Sequence, residues 1–235
     1  MQWWRVVGAI GRFMMRAGVL VLLFVAYQLW GTGLSTHQAQ DRLKSEFADQ
    51  LATSTTTTEL PPTSPSSTTP PVTAPADLPT PANGDPIGHI RIPAIGVDFI
   101  VIQGVDISDL KEGPGHFPQT PLPGQPGNVA LAGHRTTYLA PFNRFDELKP
   151  GDPVIFEMAD GWYTYKVVDS EIVQPTATWV INNPYPDKRA VGRSFTFTTC
   201  NPKYSARQRL VVYGTFVSHR PFDKPPADVV PVKGG

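Results

Sequence analysis

Residues 194–217 read SFTFTTCNPKYSARQRLVVYGTFV and hold two apolar stretches joined by a short polar connection. Within 194–199 and 209–217, apolar and small polar residues alternate or run on continuously, which is typical of β-strands. The first stretch ends at Cys200, and the Asn-Pro pair that follows favours a turn. The pattern predicts a two-strand hairpin that brings the chain back beside Cys200.

Further strand patterns lie on the N-terminal side of this hairpin. Together they give seven or eight short strands with little helix over residues 85–220, which predicts a mainly β domain, either a closed barrel or a sandwich. Short helices are expected at 106–112, with Asp106 as the N-cap, and at 141–148. The additional predicted strands are 89–93, 98–103, 128–132, 153–158 and 162–168.

The N-terminal region has the pattern of a membrane anchor. Residues 17–36 contain no charge, and this length suffices to cross a hydrocarbon core of ~30 Å as a helix. Arg5, Arg12 and Arg16 precede the run without any acidic residue, so the N-terminus is expected in the cytoplasm and the remainder outside the cell. A cleaved signal peptide is the alternative, but the run is long for one and no A-x-A-like site ends it.

Between this segment and the β domain the composition changes twice. Residues 37–51 predict a helical continuation with Leu43, Phe47 and Leu51 on one stripe. The next segment is dominated by Thr, Ser and Pro, so we expect a disordered, solvated stalk that holds the domain at the distance of the cell wall. The predicted organisation is membrane segment 1–36, juxtamembrane segment 37–51, linker 52–84, folded β domain 85–220 and polar tail 221–235.

Composition excludes several classes of protein. The chain has 20 Lys and Arg against 20 Asp and Glu, so its net charge is zero, which argues against a nucleic-acid-binding protein. A single cysteine excludes a disulfide framework and a multi-cysteine zinc site within one chain. No acidic cluster suggests a calcium site, and we expect neither a metal nor a cofactor.

Cys200 is the first candidate for chemistry. Free cysteines are usually buried, yet its position at the end of a strand, before Asn-Pro, places its sulfur at the rim of the domain, where ligands have access. A nucleophilic cysteine needs a partner that carries a proton. His134 directly follows the strand 128–132, so it occupies the same kind of position, and we favour it over His116, which lies in a Gly- and Pro-rich loop and is either structural or substrate-facing.

An arginine is the third expected component of the site. A guanidinium never loses its charge and supplies several donors to a carbonyl oxygen that becomes negative. Arg209 opens the second strand of the hairpin and would return beside Cys200, whereas Arg207 falls in the connection. We therefore favour Arg209.

These residues resemble the sortase family. Residues 196–212, TFTTCNPKYSARQRLVV, are similar to the family's cysteine and arginine motif, and residues 128–138, NVALAGHRTTY, are similar to its histidine motif. Residues 113–128 and 87–98 resemble the segment before the histidine and the opening strand. The details look most like the class E sortases of actinobacteria, and the resemblance covers the folded domain, 85–220.

The resemblance implies an eight-stranded sortase β-barrel and a cysteine transpeptidase. Cys200 would be the nucleophile, His134 the general acid and base, and Arg209 the residue that orients the substrate and stabilises the oxyanion. Such an enzyme cleaves a C-terminal sorting signal between Thr and Gly through a thioacyl intermediate. It then transfers the secreted protein to an amine of peptidoglycan or of its lipid-linked precursor.

Class E enzymes are associated with an L-A-x-T-G signal, so we expect that preference, with L-P-x-T-G as the alternative. By the resemblance, Thr199 helps to shape the site. Thr199, His116 and Arg135 are the candidate substrate-binding residues, and the loop 173–193 is expected from its position to set peptide selectivity. The Pro-rich tail and the absence of an Asp-Pro-aromatic lid motif favour wall anchoring over pilus polymerisation.

Two other interpretations remain open at this point. One is another extracellular thiol enzyme, such as an L,D-transpeptidase, although TFTTCNP lacks the Ser-His-Gly-Cys-like run expected of that class. The other is a non-catalytic wall-binding domain with a buried Cys200, which would resist alkylation until the protein unfolds.

Overall fold

The computed structural model describes residues 3–27, 32–56, 81–182, 192–222 and 225–227. Most of the expected stalk, most of the C-terminal tail and residues 183–191 lie outside the described residues. The expectations for these segments therefore stay predictions.

The described chain forms three helices and eight strands. The helices are α1 (Trp3–Ala26), α2 (Thr32–Thr56) and α3 (Ile107–Glu112). The strands are β1 (Pro86–Ile92), β2 (Val97–Gln103), β3 (Gly115–His116), β4 (Gly127–Ala132), β5 (Pro153–Met158), β6 (Gly161–Val173), β7 (Arg193–Asn201) and β8 (Gln208–Arg220).

The strands close into one barrel in the order β1-β2-β3-β4-β7-β8-β6-β5, which confirms the predicted mainly β barrel. Two neighbouring pairs, β2 with β3 and β4 with β7, run parallel. The remaining pairs are antiparallel. The parallel pairing of β4 with β7 matters for function, because parallel neighbours end at the same edge of a sheet.

Seven of these strands follow the sequence patterns, and β3 was not predicted. It comprises only Gly115 and His116, pairs for two residues on each side, and is too short to show any periodicity. The prediction of a helix at 141–148 was wrong, since the segment is a series of turns with one 3₁₀ turn, Phe145–Glu147. The Phe142 N–H bonds back to the His134 carbonyl at 3.1 Å, so this chain segment closes a loop instead of continuing as a helix.

The barrel interior is filled by inward-facing aromatic and branched side chains. Phe195 and Phe197 of β7 stack with ring centroids 4.1 Å apart, and Phe142 stacks on Phe145 at 4.0 Å. Side chains of this size each contribute about 1.5–3 kcal/mol when fully buried. These packed side chains hold β7 in place, and the C-terminal end of β7 lies at the edge of the barrel.

The outer face of β2 is also apolar and is covered by α2. Ile100 and Ile102 point away from the interior and pack against Leu43 and Phe47, which are 0% and 4% exposed. The predicted apolar stripe on residues 37–51 is therefore confirmed, and the surface against which it packs is the barrel. The helix extends further in both directions than predicted.

The apolar N-terminal helix lies earlier in the chain than the uncharged run suggests. Within the described residues, one helical stretch, Val6–Val25, is long and apolar enough to cross a membrane. The predicted span 17–36 reaches too far, because Thr36 is 0% exposed and its hydroxyl donates to the Lys111 carbonyl of the barrel domain at 2.8 Å. A residue held in this way is not available to a lipid bilayer.

Candidate active site

The register of β4 and β7 brings His134 and Cys200 to the same edge of the barrel. Ala132 pairs with Thr198 in this parallel ladder. Two residues further along each strand lie His134 and Cys200. Because parallel strands advance in step, these two residues lie at the same edge of the barrel.

Thr199 ties the two strands together just before they end. Its hydroxyl donates to the Gly133 carbonyl at 2.8 Å, and the Gly133 N–H donates to the Thr198 carbonyl at 3.2 Å. The Thr199 side chain is buried. In this position it fixes the spacing between the histidine strand and the cysteine strand.

Cys200 and Arg209 are direct cross-strand neighbours in the antiparallel pair of β7 and β8. Cys200 is a free, half-buried thiol. The Arg209 guanidinium is held at this edge by hydrogen bonds from Nη1 to the carbonyls of Ala206 and Gln208, at 2.9 and 3.0 Å. Arg207 lies before β8 and is exposed.

The His134 imidazole is partly withdrawn from water. Its Nε2 is buried and has no hydrogen-bond partner among the described residues, while its Nδ1 lies 3.3 Å from the Thr137 hydroxyl. The Tyr138 ring packs against it with the ring centroids 4.9 Å apart. One nitrogen is thus left free for a proton that moves during a reaction.

Burial lowers the pKa of His134 below its usual value, and the positive charge of Lys111 lowers this pKa further. Both effects favour the neutral ring over the imidazolium. The neutral ring is the form that can take up a proton, as a general base toward a thiol must.

The loop after His134 adopts an unusual backbone. Three successive residues, Tyr138, Leu139 and Ala140, have φ of 53°, 60° and 45°, which lies in the left-handed region. Such residues cost of order 1 kcal/mol each and persist where the surroundings hold them. One contact that holds this loop is the hydrogen bond that the Asn143 side-chain amide donates to the Arg135 carbonyl at 2.8 Å.

The Arg135 side chain is buried in the protein and is not exposed at the site. Its side chain is 4% exposed, and Nη1 donates to the Cys200 carbonyl at 3.2 Å and to Asn201 Oδ1 at 2.7 Å. Nη2 forms an ion pair with Asp146 at 2.9 Å. Arg135 was expected to bind substrate, but a guanidinium committed to these partners instead positions the backbone of the cysteine.

His116 is likewise committed to the protein. It is 1% exposed, with Nδ1 2.7 Å from Gln103 Oε1 and Nε2 3.1 Å from the Pro121 carbonyl oxygen. Burial lowers the pKa of His116 to about 4. Of the two interpretations of this loop histidine, the geometry favours the structural one over contact with a peptide.

Three residues beside His134 and Cys200 were not found from the sequence. Lys111 reaches the site because α3 packs beside the His134 loop, with its Nζ 6.0 Å from the centroid of the Tyr138 ring. Asp146 contributes the carboxylate that holds Arg135. Neither Lys111 nor Asp146 shows a local pattern, whereas Tyr138 could have been found from its place in the HRTTY motif.

Among the described residues, no group of three or more His, Cys, Asp or Glu side chains is arranged to hold a metal ion. The candidate reactive groups at this edge of the barrel are the Cys200 thiol, the His134 imidazole and the Arg209 guanidinium. These three groups are the ones needed for acyl transfer through a covalent intermediate.

Comparison with known proteins agrees with this geometry. The profile of the sortase domain family matches residues 90–217. The chain is 30% identical to Sortase SrtE1 of Streptomyces coelicolor over 94% of its own length and 60% of that protein, and 28% identical to Sortase SrtE2 of the same organism over 90% and 82%.

Comparison with solved structures identifies the same family. A crystal structure of Sortase E1 from Streptomyces coelicolor with a tripeptide in the active site matches with a TM-score of 0.59 and 31% identity over 63% of this chain and 98% of that one. Sortase E from Streptomyces avermitilis matches with a TM-score of 0.58 and 34% identity over 63% and 99%. With its barrel, its strand-end cysteine and histidine, and these matches, the chain belongs to the sortase family of cysteine transpeptidases.

Proposed function

We propose that this protein is a membrane-anchored sortase of the class E type. It cleaves the C-terminal sorting signal of secreted proteins between Thr and Gly and transfers them to a peptidoglycan amine, from the wall or from its lipid-linked precursor. The observation that carries the proposal is the parallel register of β4 and β7, which puts His134 and Cys200 at one edge, with Arg209 paired to the cysteine.

In the first half of the reaction the Cys200 thiol gives its proton to His134, and the sulfur attacks the carbonyl carbon of the signal's Thr. The negative charge that develops on the carbonyl oxygen is stabilised by the Arg209 guanidinium. The bond between Thr and Gly then breaks, and the departing amine takes the proton from His134. The product is a thioester on Cys200.

In the second half an acceptor amine attacks the thioester carbonyl and gives up a proton to His134. The bond to sulfur breaks, and Cys200 recovers its proton. No electrons are gained or lost overall, so the cycle needs no redox partner. The lowered pKa of His134 keeps the ring in its neutral form before each transfer, which is the form that can take up a proton.

For the location of the enzyme, we propose that α1 is an uncleaved single-pass anchor with the N-terminus in the cytoplasm and the barrel outside the cell. The apolar stretch Val6–Val25 and the preceding Arg5 support this orientation. For selectivity, we propose that the loop 173–193, whose residues 183–191 lie outside the described chain, reads the signal and prefers L-A-x-T-G to L-P-x-T-G. Exchanging this loop should then change the preference, and an unchanged preference would contradict the assignment.

Mass spectrometry of the full chain in detergent tests the reaction. The protein is incubated with an L-A-x-T-G or an L-P-x-T-G peptide, with and without an amine such as diaminopimelate. We expect cleavage after Thr, an acyl adduct on Cys200 and amine-dependent ligation, all lost in Cys200→Ala. If neither peptide is cleaved and Cys200 of the folded protein resists alkylation, the chain is a non-catalytic binding domain on a sortase fold.

A further inference from the structure

The surface of the barrel that α2 covers is a specific docking site. Leu43 and Phe47 fill the outer face of β2 beside Ile100 and Ile102. Arg42 adds an ion pair to Glu112 of α3, with the nearest atoms 2.6 Å apart. The apolar side chains of α2 and its Arg42 therefore have their partners on the same side of the barrel domain.

Gln40 makes the contact selective. Its side-chain amide donates to the carbonyls of Ile100 at 3.1 Å and Glu112 at 2.9 Å, and its Oε1 accepts the Ile100 N–H at 2.7 Å. Along the same edge the next backbone bond, from Ile102 N–H, goes to Pro114. Gln40 therefore occupies the place of a neighbouring strand at Ile100, and without it a buried N–H and carbonyl would lack partners.

Gly113 leaves the space that this amide needs. A Cβ at position 113 would collide with the Gln40 side chain. The glycine, the glutamine and the open strand edge thus fit one another, which indicates that the docked position of α2 is part of the folded domain.

The order of α1, α2 and β1 along the chain determines which parts of the protein the Thr- and Pro-rich segment connects. α1 ends at Ala26 and α2 begins at Thr32, so only a few residues separate the candidate membrane span from a helix that lies on the barrel. Residues 57–80 follow α2 and lead to β1, so they join two points that are both on the barrel domain. Their length therefore does not determine how far the barrel lies from the membrane.

We propose that α2 docks the catalytic barrel next to the membrane, so that the length of residues 57–80 does not set the distance between the barrel and the membrane. In this proposal the distance depends on α2 and not on the stalk expected from composition. The proposal rests on the proposed anchoring by α1, but the docking contact itself does not depend on a membrane.

The docked helix also places the active site. The first turns of α2 lie beside the His134 loop, since a Cβ at Gly33 would be 3.6 Å from Leu139 Cδ2 and Thr36 donates to the Lys111 carbonyl. This is the end of α2 that follows the candidate span. The edge of the barrel that carries His134 therefore faces the membrane side.

Cleavage of the chain within residues 57–80 tests the proposal. A site for a specific protease is inserted between residues 57 and 80 of the full chain, and the protein is reconstituted into lipid vesicles. Sedimentation before cleavage tests the anchor alone. After complete cleavage and a high-salt wash, we expect the barrel fragment to remain with the vesicles, held by α2. Its quantitative release would overturn the proposal.

Variants of α2 show whether retention depends on this face. Gln40→Ala combined with Leu43→Asp should lower the retained fraction by about tenfold or more, whereas Gln38→Ala, an exposed glutamine on the same helix, should leave it unchanged. Retention of the double variant equal to that of the parent would show that α2 is not the dock. Peptide cleavage by the uncut variants checks that their barrels are folded.

The same cleaved protein in detergent separates the two proposals. If α2 is docked, the two fragments co-elute in size-exclusion chromatography, whether or not the uncut chain sediments with vesicles. Failure to sediment before cleavage counts against the anchor only. Separate elution of the fragments counts against the dock only.

Discussion

Arg209 and Arg207 are two residues apart, yet strand register gives them different surroundings. Arg209 pairs with Cys200, while Arg207 is exposed before β8. We predict that Arg209→Gln lowers kcat/KM for peptide cleavage by about 10²–10³, the usual effect of losing one oxyanion donor. Arg207→Gln is the matched control and should change it by less than about threefold. Equal losses would contradict the assignment.

Lys111 is a second residue whose effect is open to measurement. Its charge lowers the pKa of His134, so removing the charge in Lys111→Met should raise this pKa, because the imidazolium is then less disfavoured. An NMR titration of the His134 ring measures the shift. The limb of the pH profile of kcat/KM that reports His134 should move to higher pH as well.

The control for this prediction is Lys111→Arg, which keeps the charge and should leave the His134 titration near its original position. The backbone carbonyl of Lys111, which accepts the Thr36 hydroxyl, is present in both variants. A downward or absent shift in Lys111→Met would show that burial alone accounts for the lowered pKa.

At the residue scale, the sequence predicted Cys200, His134 and Arg209 as neighbours because each stands at the end of a strand. It did not predict what Arg135 contacts. Arg135 adjoins His134 in the sequence, but its partners Asp146 and Asn201 come from elsewhere in the chain. A side chain's partners in the fold are not encoded by its immediate neighbours.

At the scale of elements, the outer face of β5, β1 and β2 carries a charged cluster. His89 contacts the Asp98 carboxylate, Arg91 Nη1 lies 2.8 Å from Glu157 Oε2, and the Arg91 guanidinium lies over the Trp162 ring at 5.1 Å. His89 is thus a partly buried member of an ion network that joins three strands.

This cluster predicts a loss of stability in acid. The hydrogen bond with His89 lowers the pKa of Asp98 despite partial burial, and for Glu157 burial raises the pKa but His89 and Arg91 lower it more. Carboxyls with lowered pKa stabilise the fold above their unfolded pKa and lose this contribution as the pH falls through the folded value. Unfolding free energy should therefore fall below about pH 4, as urea titration would show.

Asp98→Asn tests the source of this dependence. It should cost about 1 kcal/mol at neutral pH and make the acid dependence shallower, since one of the two carboxyls no longer titrates. Asp41→Asn, an exposed position on α2, is the control and should leave both quantities unchanged. An acid dependence that is equally steep in Asp98→Asn would place its origin elsewhere.

Short elements also show the limit of what sequence patterns can predict. β6 and β8 each extend over 13 residues, so the sequence patterns within them could be recognised. β3 has only two residues, and the region 141–148 looks helical although Phe142 and Phe145 both belong to the barrel core. Long-range packing overrides local preference in such short segments.

For the whole molecule, α2 should contribute to the stability of the barrel. We compare three soluble fragments, 32–235, 57–235 and 81–235. Loss of α2 exposes the surface around Ile100 and Ile102 and leaves the Ile100 backbone without Gln40, so 57–235 should be less stable than 32–235 by about 3 kcal/mol or more. Thermal unfolding measures the difference.

The fragment 81–235 is the control for the linker. It lacks residues 57–80 as well as α2, and its melting temperature should equal that of 57–235. If 57–235 and 32–235 unfold at the same temperature, α2 adds nothing to the stability of the barrel. A further drop in 81–235 would mean that the linker itself stabilises the domain.

The sequence alone predicted a mainly β domain, most of its strands, and a cysteine, a histidine and an arginine at the ends of strands. These depend on local periodicity and on where strands end, which neighbouring residues encode directly. Only the tertiary structure decided that α2 lies on β2, that Arg135 and His116 serve the scaffold, and that Lys111 acts on His134. Each of these depends on contacts between segments far apart in the chain, such as Gln40 with Ile100 and Glu112, which no local pattern specifies.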